Sequence, residues 1–363
     1  MSPRSAPRLD CPDKEADRRA AAYFEAAHRA FLAAQDAAGT AERTFAIAGY
    51  RVRLRFAGKA MIPAMTRALA HLTAPRLTPP DLTVCIWDSS STKTATLPPP
   101  WPVDDRAIQG LIQWSDTHRF QTLLQPLNRT LDMLDHRRNT GIHWIPDAHH
   151  MPDYEAVSPL RTLLYWWMRR HSRQLVHAGA VGTANGGVLL PAKSGSGKST
   201  TALACLTAGL LCAGDDTVLL ATDARPIRAY SMYSSAALYG SHLRERFSHL
   251  VSFIEDSEPS EREKAFAFLY DRYPDQLPAF LPIRAVLVPR VSGHRDTQLS
   301  RSTAATSLRA LVPSTVFSLP GAGRETFEIL TKLVRPLPHY TLHLGTDLSQ
   351  IPYIISDLLR TLP

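Results

Sequence analysis

The stretch Val188-Leu-Leu-Pro-Ala-Lys-Ser-Gly-Ser-Gly-Lys-Ser-Thr-Thr201 decides the fold of this chain. It begins as an apolar strand, continues as a loop of small residues that ends in Gly197-Lys198-Ser199, and enters an Ala- and Leu-rich helix. A strand, loop and helix in this order can wrap a nucleotide phosphate in backbone N–H groups. The sequence therefore predicts a binding site for a nucleoside triphosphate.

The residue types in the loop suit this chemistry. Small residues let the backbone close around a β-phosphate, and the first turn of the helix adds free N–H groups and the positive end of its dipole. Lys198 supplies a mobile charge for the β and γ oxygens, and the Ser199 hydroxyl can bind Mg²⁺. One departure is Ala192, which stands where the pattern has its first glycine and which resists positive φ. The candidate nucleotide-binding residues are Ser194, Gly195, Ser196, Gly197, Lys198, Ser199 and Thr200.

Two adjacent carboxylates, Asp215 and Asp216, follow the loop closely at the end of a short apolar segment. We expect them to face the same cleft as Lys198. One carboxylate can support Mg²⁺ while the other accepts the proton of an attacking hydroxyl, and phosphoryl transfer needs both roles. We take Ser199 and Asp216 as candidate metal ligands, although the sequence does not decide which Asp is the base. The alternative is a solvated Asp-Asp turn.

A histidine, His177, lies in the strand-like run 175–182, and a short turn joins this run to the strand before the loop. Asn185-Gly186 in that turn is a hairpin signal, so we expect the two strands to be antiparallel neighbours. This arrangement would bring His177 near one end of the phosphate site. Taken alone, a histidine in a strand is more often a hydrogen-bonded structural residue than a catalyst.

These segments together resemble a known family. The runs His-Ala-Gly-Ala-Val, Gly-Gly-Val-Leu-Leu, Lys-Ser-Gly-Ser-Gly-Lys-Ser-Thr-Thr-Ala-Leu-Ala and Gly-Asp-Asp, all within residues 175–222, are similar to the catalytic core of HPr kinase/phosphorylase. They are more similar to the HPr-kinase-related bacterial serine kinases, which include enzymes that tailor ribosomally made peptides such as lasso peptides. The resemblance implies an active site made of His177, Lys198, Ser199, Asp215 and Asp216, with ATP and Mg²⁺ as cofactors.

The sequence also departs from the bifunctional HPr enzymes. It has no Glu-Ile-Arg-Gly stretch after the paired Asp, so we expect a kinase direction without phosphorolysis. The N-terminal half does not resemble their regulatory domain, and HPr itself is not expected as the substrate. The hypothesis is therefore an ATP-dependent kinase that transfers the γ-phosphoryl group to a serine hydroxyl of a peptide or protein. Two alternatives stay open: a kinase of small-molecule hydroxyls, and an ATP-binding switch or scaffold with little transfer activity.

Length and composition limit the number of domains, the cellular compartment and the partners that we expect. With 363 residues, of which 44% are hydrophobic, the chain can bury a full core and is long enough for two domains. Its four cysteines form no C-x-x-C pair, and it has no apolar leader and no run long enough to span a bilayer, so we expect a cytoplasmic protein that is not integral to a membrane. The net charge of +8 is dispersed and carries no fold signature of nucleic-acid binding, so nucleic acid is not an expected partner. The hexameric family that the sequence resembles suggests a possible homo-oligomer.

The predicted fold class is α/β. We expect a disordered tail at 1–12, a smaller N-terminal α+β region of unknown role at 13–150, and at 151–363 a P-loop kinase core with a mixed sheet, like the HPr kinase C-terminal domain. Leucine spacing favours a helix around 123–134. Ser158 is a candidate cap for a helix that ends at Arg169, and Pro159 fits its first turn. The other helices are predicted at 13–38, 60–72, 304–311, 325–334 and 349–359. The other strands are predicted within 44–56 and at 82–87, 140–145, 217–221, 265–270, 283–289 and 339–344.

Overall fold

A computed structural model of the protein describes residues 14–76, 78–99, 113–125, 129–191, 193, 195–239, 245–247 and 264–362. The predicted tail at 1–12, together with Ala192 and Ser194 of the loop, lies outside the described residues. The chain forms two compact units. The first comprises Met1–Glu42, Leu54–Met61 and Leu82–Met151; the second comprises Arg43–Arg53, Ile62–Asp81 and Pro152–Pro363. The assignment of domains at 13–150 and 151–363 stays a prediction.

The described chain contains both helices and strands, and many of its strands follow one another directly. The helices are α1 Lys14–Ala38, α2 Ile62–Thr66, α3 Ser89–Thr92, α4 Asp153–Val157, α5 Arg161–Arg169, α6 Lys198–Thr207, α7 Ala304–Val316, α8 Arg324–Val334 and α9 Gln350–Thr361. The strands of the first half are β1 Thr40–Ile47, β2 Tyr50–Ala57, β3 Leu82–Asp88, β4 Gln113–Asp116, β5 Phe120–Gln125, β6 Thr130–Asp135 and β7 Thr140–Ile145. The later strands are β8 Arg173–Val176, β9 Ala178–Thr183, β10 Gly186–Pro191, β11 Leu211–Gly214, β12 Val218–Ala221, β13 Arg228–Ser231, β14 Ser235–Tyr239, β15 Lys264–Phe268, β16 Phe280–Val291, β17 Gln298–Arg301 and β18 His339–Leu344.

The first unit contains α1 and the strands β3 to β7 of a seven-stranded sheet whose order is β1-β2-β3-β7-β6-β5-β4; β1 and β2 belong to this unit only in part. Aromatic side chains at helical spacing on α1 pack on this sheet; for example, the rings of Phe24 and Phe120 are 5.7 Å apart, and those of Phe31 and Trp87 are 5.9 Å apart. The helix that leucine spacing favours around 123–134 is wrong, because this segment contains β5 and β6. Every residue of β6 is buried, so apolar residues are not restricted to alternate positions and the period of a strand is hidden.

The second unit is built on a mixed sheet of nine strands. Seven of them follow the order β11-β9-β10-β16-β13-β12-β8; β18 also pairs with β16, and β17 pairs with β18. β16 is parallel to β10 and to β18, whereas β9 is antiparallel to β10 and β11. Since β10 and β11 both oppose β9, they run in the same direction. The carboxyl ends of β10, β11, β16 and β18 therefore share one edge of the sheet, which is where open α/β sheets bind ligands.

Two pairs of helices cover the faces of this sheet. Apolar residues of α6 and α9 form one core with Val188, Leu190 and Leu287, and residues of α7 and α8 form another with Leu189 and Val286. Neighbouring residues of β10 thus point to opposite cores, as the pleat of a strand requires. The second unit is a layered α/β arrangement that holds the carboxyl edge of the sheet in a fixed position.

The start of α5 differs from the prediction. Ser158 does not cap α5. Instead, Ser158 lies at the C-terminal end of α4, and its hydroxyl donates to the Tyr154 carbonyl at 2.8 Å. The chain then turns through Leu160, whose φ is 58°, before α5 begins at Arg161. The predicted helix therefore starts later than expected, and α4 is a short helix that the sequence does not predict. Among the described residues, no helix has both the length and the apolar character that crossing a membrane requires.

Candidate active site

His177 lies at a break between two strands, where the sequence predicts one continuous strand. β8 ends at Val176 and pairs with β12, whereas β9 begins at Ala178 and pairs with β10 and β11. The predicted hairpin is present, with Ala184 and Asn185 as its two turn residues. The backbone N–H of His177 donates to Thr315 Oγ1 of α7 at 3.1 Å. Because β9 opposes β10, this residue sits at the edge where β10 ends.

The loop delivers Lys198 to the same edge. Gly197, with φ 94°, precedes α6 as its cap, and its carbonyl accepts hydrogen bonds from the N–H and hydroxyl of Thr201 at 2.9 and 2.8 Å. Lys198 is the first residue of α6 and is only 5% exposed. Its Nζ donates to the Asp215 carbonyl at 3.2 Å and forms an ion pair with Asp216 Oδ1. The lysine thus contacts both residues of the acidic pair.

The carboxylate of Asp216 lies between the side chains of Lys198 and His177. Its Oδ1 contacts Lys198 Nζ, and its Oδ2 lies 3.1 Å from His177 Nδ1. Burial alone would raise the pKa of Asp216, but the charge of Lys198 and the hydrogen bond with His177 hold that pKa well below its usual value. The side chain is 49% exposed. Asp216 is therefore an accessible carboxylate that stays ionised over a wide pH range.

Asp215 has the opposite character. It is 1% exposed, and its Oδ2 accepts a hydrogen bond from the Ala237 N–H at 3.3 Å. Its Oδ1 is buried and has no hydrogen-bond partner among the described residues, although the nearby Ser199 hydroxyl favours the ionised form of the carboxyl group. Burial raises the pKa of Asp215, and the charge of Lys198 only partly offsets this effect. The two neighbouring carboxylates thus differ in their affinity for a proton.

A cavity of about 550 Å³ opens beside these groups. Its volume falls within the usual range of small-molecule sites. Of the residues that the sequence indicates for the site, the cavity is lined by His177, Gly195, Gly197, Lys198, Ser199, Thr200, Asp215 and Asp216. Ser196 is not part of this lining, and its hydroxyl donates to the Lys193 carbonyl at 2.7 Å. Ser194 lies outside the described residues, so its place at the site stays a prediction.

Sequence reasoning missed other residues of the cavity wall. The segment from α4 to α5 contributes Tyr154 and Arg161, and the region around β14 contributes Tyr233 and Ala237. The amide of Ala237 is the donor to Asp215, yet nothing in the local sequence identifies it. These residues come from segments that the sheet brings to one edge, so only the fold reveals them.

A further missed position is Gly179, two residues after His177. A Cβ at this position would lie 2.7 Å from the Asp215 carbonyl oxygen. We expect Gly179→Ala to displace the strand that carries the acidic pair, which costs about 1–3 kcal/mol of stability and removes any activity of the site. Thermal unfolding and transfer assays would measure both effects. Gly323→Ala is the matched control, because a Cβ there meets no atom within 4 Å; equal behaviour of the two variants would contradict the expectation.

Comparisons with known proteins add little to what the geometry of the site shows. No protein-family model matches the chain, and no curated protein matches it. Among solved structures, the HPr(Ser) kinase/phosphatase from Coxiella burnetii matches with a TM-score of 0.28 and 11% identity, over 52% of this chain and 94% of that one. A likeness at this score carries no argument about function, which therefore has to rest on the site itself.

Proposed function

We propose that the protein is an ATP- and Mg²⁺-dependent kinase that transfers the γ-phosphoryl group to a serine hydroxyl of a peptide or protein. The observation that carries this proposal is the contact of Lys198 with both Asp215 and Asp216 beside a cavity at the start of α6. A helix N-terminus, a lysine and paired carboxylates are the parts that phosphoryl transfer requires.

In the proposed mechanism, Lys198 and the backbone N–H groups at the start of α6 bind the β- and γ-phosphates. The ion pair between Lys198 and Asp216 keeps the ammonium group in the site before the nucleotide arrives. Because the lysine side chain is flexible, it can exchange this carboxylate for phosphate oxygens. That exchange would free one oxygen of Asp216.

The residues present also fit Mg²⁺. No group of three or more His, Cys, Asp or Glu side chains in the described part of the chain could hold a metal ion by itself. Mg²⁺ typically uses one or two protein oxygens together with substrate phosphates and water. The ionised, accessible carboxylate of Asp216 and the Ser199 hydroxyl, which lines the same cavity, would supply the protein oxygens. When bound, the ion would neutralise charge on the transferred phosphoryl group.

Asp215 is the better candidate for the base. Its raised pKa favours proton uptake, and its Oδ1 has no partner among the described residues. As the acceptor oxygen bonds to the γ-phosphorus, the bond to the β-phosphate oxygen breaks, the proton passes to Asp215 and ADP leaves. His177 contacts Asp216 and would hold that carboxylate in place; it is a positioning residue in this proposal.

The direct test uses the purified protein, Mg²⁺ and ATP labelled in the γ-phosphate, with a mixture of serine-containing peptides. We expect label in phosphoserine and micromolar to millimolar affinity for MgATP by calorimetry. Absence of affinity for both ATP and GTP would contradict nucleotide binding. Label in extracted metabolites with none in peptides would instead support a small-molecule kinase, and binding without transfer to any acceptor would support a switch or scaffold.

A further inference from the structure

Arg161 is a cation of the cavity wall to which the proposed mechanism gives no role. It is the first residue of α5, and its Nη2 donates to Ser318 Oγ at 2.9 Å. Its Nε is shielded from solvent and has no acceptor among the described residues. A partly buried guanidinium with an unsatisfied Nε is costly without a ligand that accepts its hydrogen bond.

Hydrogen bonds place Arg161 on the same side of the cavity as the acidic pair. Ser318, which accepts from Arg161, donates through its hydroxyl to the Thr315 carbonyl at 3.0 Å. Thr315 in turn accepts the backbone N–H of His177, which contacts Asp216. Arg161 and His177 are thus anchored to the same turn at the end of α7.

The backbone around Arg161 is tied to the strand that supports Asp215. The hydroxyl of Tyr233 donates to the Pro159 carbonyl at 2.9 Å, and the hydroxyl of Ser235 donates to the Val157 carbonyl at 2.5 Å. Ser235 begins β14, and Ala237 of β14 donates to Asp215. Arg161 therefore keeps a fixed position relative to the proposed base. A group bound by Arg161 would have its neighbouring atoms close to that base.

We infer that Arg161 binds a side-chain carboxylate of the peptide acceptor and so selects a serine that lies near an acidic residue. This inference rests on the proposed kinase function. Loop amides and Lys198 already provide for the nucleotide phosphates, whereas the acceptor hydroxyl has to approach from the side of Asp215, where Arg161 lies. A guanidinium matches a carboxylate with two parallel hydrogen bonds, so it gives orientation as well as attraction.

The test is a library of end-blocked peptides with one central serine and randomised flanking residues, incubated with the protein and MgATP. We expect sequencing of the phosphopeptides to show Asp or Glu enriched at one flanking position. For one such peptide and its Gln counterpart, we expect KM to differ about tenfold to hundredfold. Arg161→Gln should abolish that difference and leave the Kd of MgATP unchanged, and Arg161→Lys should retain part of it.

Arg169→Gln is the matched control, because it removes the same charge from the same helix at a residue that pairs with Glu325 and does not line the cavity. It should keep the acidic preference. Should Arg161→Gln fail to fold in a thermal melt, Ser318→Ala keeps the charge, removes its anchor and should weaken the preference. Phosphopeptides without acidic preference, or weaker MgATP binding in Arg161→Gln, would overturn this inference alone. MgATP binding without any phosphopeptide would overturn the kinase proposal with it.

Discussion

Replacing Lys198 with methionine is expected to lower kcat/KM for phosphoryl transfer by about 10³-fold, because it removes a charge that contacts both acidic residues at the start of α6. Methionine keeps most of the length and volume of the side chain, so the loss reports charge rather than a cavity. The affinity for MgATP should also fall. Initial rates with an unphosphorylated serine peptide that the wild-type protein phosphorylates, and calorimetry with MgATP, would measure the two effects.

Lys198→Met should also raise the pKa of Asp216, and this effect does not depend on activity. Without Lys198, the pKa of Asp216 loses the strongest influence that lowers it, and His177 is the neighbour in the described chain that still lowers it. Lys332→Met serves as the control, because Lys332 is exposed on α8, away from the cavity lining. A Lys198→Met protein that folds and transfers phosphate at the normal rate would remove the lysine from the proposed mechanism.

The sequence predicts the parts of the site that are local along the chain. The loop, Lys198 and the Asp pair lie within 25 residues, and the hairpin signal brings His177 to the same edge. These elements can be predicted because the residue preferences of strands, turns and helices act over a few neighbouring residues. The break of the strand at His177 is not visible, since residues 175–182 have the same apolar character on both sides of it.

The remaining parts depend on the sheet as a whole. Ala237 and Arg161 both line the cavity, and side-chain to backbone hydrogen bonds connect the region of β14 to the segment just before α5. An alanine amide or a single arginine carries no pattern that a sequence could reveal. Prediction also failed at β6, where burial on both faces hides the alternation that identifies a strand.

The second large effect concerns the two carboxylates. Asp215→Asn and Asp216→Asn are each expected to reduce phosphoryl transfer by about 10³-fold, because one would remove the base and the other a metal ligand. Binding of ATP should be largely retained in both, since neither residue is proposed to hold the phosphates directly. Single-turnover assays and calorimetry would separate these effects. Normal transfer in both variants would contradict the assignment of the pair.

The two variants should nevertheless differ in the sign of their effect on stability. The folded-state pKa of Asp216 is lowered, so its contribution to stability is fully present above its usual pKa, about 3.9, begins to decline there, and is lost as the pH falls through the folded-state pKa. The pKa of Asp215 is raised, so its ionised form opposes folding at neutral pH. At pH 7.5 we therefore expect Asp216→Asn to melt below the wild type and Asp215→Asn to melt at or above it, with both differences shrinking near pH 3.5. If both variants instead lost stability equally at pH 7.5, the carboxylates would share one environment, and Asp215 would have no advantage over Asp216 as the base.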